Sequence, residues 1–474
     1  MQLFYLLALG MRREIMKAQI AALMKMCMIL FGLFLVVACN SQSSFPDVQS
    51  DKLLISLQRT ACYGSCPDYK VTIDGQGNVV FTTRPPLDGG DSAVHREFSI
   101  STGVRVSGTY RTVVSKADVV TLLQKFKAAD FFSLKDEYSA AVTDNPTYIL
   151  SIDTGNGRKT VVDYVGKEAG MPAVVTTLQE AVDRVAGTER WINGLPSVIP
   201  ILKAANADFH GIIGLELMDA AAERGDLATL RKLKTMGAPL FGDGPTPLNS
   251  AIYEKQNAVV DWLIDNGALD QKGAYEQALQ TSVSKRNHTA FDAVLQARVQ
   301  NGISKNLATK LLQSAAGNAD LKIVNLMLAN GANSNGDKGA PGLPDPPLFD
   351  AANGIRSDEQ GSSMEERRQV VRRLLDAGAD IKYCLNNYCS SVLWGVSDRE
   401  IAKMLLNAGA DPNFRDSDGE HILFNVSDEQ VALLLIQSGA DLKAIRPADG
   451  MTLREWAKYE KWPAVIDMLT KRGL

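Results

Sequence analysis

Histidine is scarce in this 474-residue chain: His95, His210, His288 and His421 are scattered and never paired at metal-ligand spacing. That argues against a histidine-built metal centre, so neither a metal nor a cofactor is expected. An excess of one charge is also missing. The 50 Lys and Arg nearly balance the 54 Asp and Glu, a net of −4. A dedicated nucleic-acid binder would be basic, so no nucleic-acid partner is expected. No apolar run reaches the roughly 20 residues that a bilayer-spanning helix needs. Nor does the chain carry G-x-S-x-G, a phosphate-cradling P-loop or H-E-x-x-H, so it is not read as an enzyme and no catalytic residues are nominated. Asp144, before Asn145-Pro146, could be imagined as a general base, but reads better as a turn former bonded to its own backbone. What is present is an ordinary globular composition, 45% hydrophobic and 22% charged, long enough for about three units.

The longest apolar run, Met26 to Ala38, has thirteen residues and suits the core of a secretory signal, with Lys17 and Lys25 in its basic lead. It ends Val36-Val37-Ala38-Cys39 before the polar stretch Asn40-Ser41-Gln42-Ser43-Ser44. This resembles a bacterial lipobox, where cleavage before the cysteine precedes its acylation. The resemblance implies a signal peptide over residues 1–38, lipidation of Cys39 and a tether over 39–51. Asn40 lacks the carboxylate that retains such proteins at the inner membrane in enteric bacteria. The expected location is the cell envelope, as an outer-membrane lipoprotein facing the periplasm. Loss of Arg12, Arg13, Lys17, Lys25 and Glu14 with the signal leaves a net charge near −7.

In that oxidising compartment the remaining cysteines are read as two local disulfides, Cys62 with Cys66 and Cys384 with Cys389. Thioredoxin-like chemistry would need C-x-x-C, which neither pair offers. From Leu53 the chain reads as strands: 53–57, 69–73, 78–83, alternation over 95–114, then 148–153 and 159–164. Two helices return onto them, one capped by Ser115 with Val119, Leu122, Leu123 and Phe126 inward, the other over 173–185. The expectation is a compact α+β domain over residues 52–191. Its stretch Ala61-Cys62-Tyr63-Gly64-Ser65-Cys66-Pro67-Asp68-Tyr69, with Asp74-Gly75 and Asp144-Asn145-Pro146, resembles a domain of unknown function found in bacterial lipoproteins. That resemblance carries no activity with it. A rigid Cys62–Cys66 loop suits either a structural staple or a binding tip.

After a linker over 192–216, the dipeptide Gly-Ala punctuates the chain at 237, 267, 331, 378, 409 and 439. Steps of 30, 64, 47, 31 and 30 residues fit a solenoid of period near 30–34 with one degenerate boundary near Asn301-Gly302 and one insertion. Thr246-Pro247-Leu248-Asn249-Ser250-Ala251 resembles the ankyrin-repeat opening T-P-L-H-x-A. Leu405-Leu406-Asn407-Ala408-Gly409-Ala410-Asp411-Pro412-Asn413 resembles the ankyrin exit. The expectation is an α+β domain followed by an all-α ankyrin-repeat solenoid of about eight helix pairs over 217–474. The resemblance implies a protein partner held on the repeat surface. Tyr383 and Tyr388, beside the second cysteine pair on a hairpin finger, are the candidate binding residues, and the insertions at 336–347 and 356–364 are candidate binding loops. The reading is a lipid-anchored, non-catalytic binding protein, joined to the membrane by its lipid. Two other readings stay open: a small-ligand receptor or enzyme with its site around Cys62 and Cys66, and a toxin-neutralising protein.

Overall fold

The computed structural model describes residues 45–83, 103–242, 244, 246–298, 302–337, 346–353, 363–385 and 388–474, with the side chains of 383–390 left out. The chain divides into two compact units after residue 201.

In the first unit a seven-stranded mixed sheet runs in the order β4-β3-β2-β1-β6-β7-β5. The strands are β1 Leu54–Arg59, β2 Tyr69–Asp74, β3 Asn78–Thr83, β4 Thr109–Val113, β5 Glu137–Ser139, β6 Thr147–Asp153 and β7 Arg158–Tyr164. All neighbours are antiparallel except β5 and β7. Period-two alternation puts Ile55, Leu57, Val71, Ile73, Val79, Phe81, Leu150 and Val161 on the buried face. Helix α1 (Lys116–Ala128) buries Val119, Leu122 and Phe126, while Leu123 is only half-buried. The Ser115 hydroxyl caps it by accepting the Asp118 N–H. Helix α2 (Ala173–Ala186) lies against β1, β2 and α1 and ends at Gly187, whose φ of +64° stops the helix.

Between β2 and β3, Asp74 accepts the backbone N–H of Gln76 and Asn78, both at 2.9 Å. Burial opposes the charge, but these bonds hold the carboxyl below its usual range. Gly77 completes the turn at φ +91°, where a Cβ would sit 2.3 Å from the Val114 carbonyl oxygen, so only glycine fits.

Three differences from the sequence expectation stand out. Alternation over 95–114 yields a strand only at Thr109–Val113, and residues 95–102 lie outside the described set. The short β5 was not expected; it pairs parallel to β7. The stretch 192–216 is not an open linker. It holds a helix at Val198–Ala204 and the start of another at Ile212, with Val198, Ile199 and Leu202 buried. Trp191, expected as a boundary, is a core residue. Fully buried, it stacks on Tyr110 at 4.2 Å and Phe81 at 5.9 Å.

The second unit is a helical repeat array. Five complete pairs run from Ile212–Glu223 with Leu227–Thr235 to Pro347–Asn353 with Met364–Asp376. In the sixth repeat the first helix shrinks to a turn at 392–395, and in the seventh to a 3-10 turn at Ile422–Phe424. Their second helices, Arg399–Asn407 and Glu429–Gln437, are intact, and the eighth pair is Leu453–Tyr459 with Pro463–Lys471. First helices stack on first helices and second on second, which buries one continuous apolar seam.

The Gly-Ala dipeptide is a helix stop. After the second helix of the sixth repeat, Gly409 takes φ +100° and Ala410 donates its N–H to the Leu405 carbonyl at 3.0 Å. Ala238, Ala268, Ala332, Ala379 and Ala440 repeat that bond, the Schellman arrangement. The Asp that follows folds the finger: Asp380, Asp411 and Asp441 each accept an N–H from two residues on. Helical pairs, left-handed glycine stops and hairpin fingers together make the ankyrin arrangement.

Candidate functional site

Three places gather chemistry-bearing side chains. In the first unit, strand register sets Arg59 between Tyr148 of β6 and Tyr69 of β2. Its guanidinium lies 4.7 Å from the Tyr148 ring centroid and 5.9 Å from that of Tyr69. Arg59 Nη2 donates to Asp183 Oδ2 on α2. Asp183 Oδ1 accepts the Tyr69 hydroxyl at 2.5 Å and the Thr188 hydroxyl at 2.9 Å. Burial, and then the Asp183 charge, push the Tyr69 phenol well above its ordinary value, so it stays a donor. Burial opposes the Arg59 charge, but the rings and Asp183 more than offset it. Arg59 Nε is buried without a hydrogen-bond partner.

Directly after β1 comes the loop closed by the Cys62–Cys66 disulfide, with Cα atoms 5.5 Å apart. Gly64 takes φ +146° inside it. The Tyr63 N–H donates to the Asp144 carbonyl; Asp144 adopts φ +68°, and its carboxylate accepts the Thr143 hydroxyl at 3.1 Å in place of the expected bond to its own backbone. Tyr63 stands 85% exposed on the tip. At the opposite end of the sheet a groove of about 400 Å³ is lined by Leu54, Thr72, Val80, Arg111 and Val113, among others.

In the array, large apolar side chains stay exposed on the inter-repeat loops, Phe241 after the first repeat and Ile445 before the eighth, and at the ends of first helices, Tyr253 and Tyr459. Lys285 Nζ sits 3.5 Å from the Tyr253 ring centroid. Successive fingers are tied by asparagine. Asn413 Oδ1 accepts the Asp441 N–H and its Nδ2 donates to the Gly439 carbonyl, while Asn335 Oδ1 accepts the Asp380 N–H. His421, fully buried in the seventh finger, accepts the Leu423 N–H at Nδ1 and faces Asn413 Oδ1 across 3.3 Å from Nε2. This network assigns the proton to Nε2. Burial first, and then Arg415, push its pKa below the ordinary histidine value.

Cys39 lies outside the described residues. The finger hairpin β8 (Lys382–Leu385) with β9 (Tyr388–Ser391) sets Cys384 opposite Cys389 and Leu385 opposite Tyr388 in register. The side chains of Tyr383, Cys384, Tyr388 and Cys389 are outside the described set, as is most of both insertions. Among the described residues no group of three or more His, Cys, Asp or Glu could hold a metal ion. Sequence reasoning missed Arg59, Asp183 and His421. A signal for Asp183 existed, since Gln179 and Asp183 put two polar residues four apart beside the apolar stripe of α2.

Residues 53–186 match the family model of a domain of unknown function, DUF6438. No curated protein sequence matches the chain. Among solved structures, the human ASB11 ankyrin repeat domain is similar at 18% identity and a TM-score of 0.35, over 47% of this chain and 98% of that one.

Proposed function

We propose that this chain is a lipid-anchored protein of the bacterial envelope, acylated at Cys39 and facing the periplasm, whose repeat array holds a protein partner without catalysing a reaction. The observation that carries the reading is the set of large apolar side chains left exposed on the inter-repeat loops of the array, Ile445 among them on a finger braced by asparagine. Phe241 is exposed on the loop after the first repeat, and Ile445 is exposed on the finger whose Asp441 N–H is held by Asn413. Ordered loops bearing apolar anchors lose little entropy on docking, which favours affinity. The Val36-Val37-Ala38-Cys39 stretch supports the anchor, and the compartment it implies agrees with the Cys62–Cys66 bond.

Two experiments test it. Intact mass and membrane fractionation, with and without Cys39→Ala, read the anchor: acyl mass and pelleting only in the parent are expected. Crosslinking in envelope membranes then compares the full chain with a Phe241→Asp/Ile445→Asp variant. A defined protein that crosslinks to the parent and is lost from the variant is expected. Identical crosslinks from both would sink the array as the binding surface.

A further inference from the structure

Residues 45–53 are pinned to one end of the sheet. Phe45 packs edge-on against Phe132 at 5.0 Å. Gln49 donates its N–H to the Thr154 carbonyl and its amide to Asn156, whose own amide donates to the Asp47 carbonyl. The β6–β7 turn at 154–157 and the start of β1 therefore mark the end at which the chain enters the domain. Only five residues separate Cys39 from Phe45. Six Cα steps span at most about 20 Å when fully extended. The six-residue β1 is itself roughly 20 Å long, and the Cys62–Cys66 loop lies beyond its far end. Chain length alone lets an acyl group on Cys39 reach the near end with slack, whereas reaching the far end would consume the entire leash.

The near end also carries exposed apolar side chains. Val113, at the close of edge strand β4, is 74% exposed, and Leu54, at the start of β1, is 43% exposed, with the groove between them. Charges here balance, with Lys52, Arg111, Lys116, Lys127 and Arg158 against Asp47, Asp51, Asp74, Asp118 and Asp153, and Arg111 and Asp74 line the groove itself. We infer that this end of the α+β domain is a membrane-seating surface: Leu54 and Val113 enter the lipid interface, and the Cys62–Cys66 loop with Tyr63 points away from the bilayer. The inference rests on the lipid-anchor reading. Two side chains bind lipid weakly by themselves, but a short tether holds them at an effective concentration in the mM range. Because charge is balanced, seating depends on apolar contact and not on anionic headgroups.

The test is hydrogen–deuterium exchange on the full acylated protein in phosphatidylcholine vesicles, against a Leu54→Asp/Val113→Asp variant prepared identically. Both replaced side chains are exposed, and equal thermal melting verifies that the variant folds. Amides of 109–116 and 154–158 are expected to exchange about fivefold more slowly in the parent, in low and high salt alike, with 62–66 unchanged. Equal exchange in parent and variant, with acyl mass present, overturns the seating and leaves the anchor standing. Protection of 62–66 overturns the orientation, and protection that vanishes in high salt overturns the apolar mechanism. Absence of acyl mass removes the anchor and this inference together.

Discussion

The side-chain oxygen of Asn413 accepts the backbone N–H of Asp441 at 2.7 Å, joining the exit of one repeat to the exit of the next. Its amide also donates to Gly439, so one residue serves two backbone groups of the following repeat. Asn413→Ala is expected to cost about 1–2 kcal/mol in chemical denaturation and to speed amide exchange over 439–445. Asn413→Asp keeps the acceptor and loses the donor, so it should recover part of that loss.

His421 makes the array sensitive to acid. Its pKa is lower in the folded chain than in the unfolded one, so the unfolded state binds the proton more readily. Its contribution is full above the unfolded value of about 6.5, declines as pH falls through it, and is gone below the folded pKa. Thr452 occupies the corresponding capping position in the eighth repeat. His421→Thr should therefore flatten the melting temperature as pH falls through about 6.5, where the parent begins to decline.

The pair between Arg59 and Asp183 has side chains only 21% and 17% exposed. Asp183→Asn leaves the guanidinium without its counter-charge and should destabilise the first unit by about 3 kcal/mol or more. Arg59→Gln combined with Asp183→Asn should recover stability, because neither side chain is then a buried charge. A single Asp183→Asn variant that melts with the parent would show that the pair is not structural.

Among the described residues, five repeats pass between their paired helices through one left-handed residue: Gly225, Lys255, Arg286, Ala319 and Lys461. Lys461, at φ +61°, is exposed. Lys461→Gly should relieve the Cβ clash and raise stability by about 1 kcal/mol, whereas Gly409→Ala, at φ +100°, should lower it by about 1–2 kcal/mol. Urea titrations of the two variants should move in opposite directions.

Much of the architecture was legible because it is written in local chemistry. Gly409 and Ala410 stop a helix with backbone atoms alone, so their recurrence exposes the repeat even where the rest of the motif has decayed. Ser115 announced its helix for the same reason. What stayed hidden depends on contacts between residues far apart in the chain. Arg59 and Asp183 are 124 positions apart, and nothing near either residue names the other. Trp191 looked like a boundary because its partners, Tyr110 and Phe81, lie some 80 and 110 residues earlier. β5 is three residues long, too short to show a period, and exists by pairing with β7. The sixth and seventh repeats kept their punctuation while losing their first helices, so counting stops overstates the helices.

That loss has a mechanical meaning. Each unit of a stacked array is held by its own packing and by its two neighbours. Where two adjacent units each offer a single turn in place of a helix, the column has a thin joint. Heat or a pulling force on the C-terminus would part the array there first. The five complete repeats would stay folded while the tail came away, and the position of that fuse is set by two missing helices.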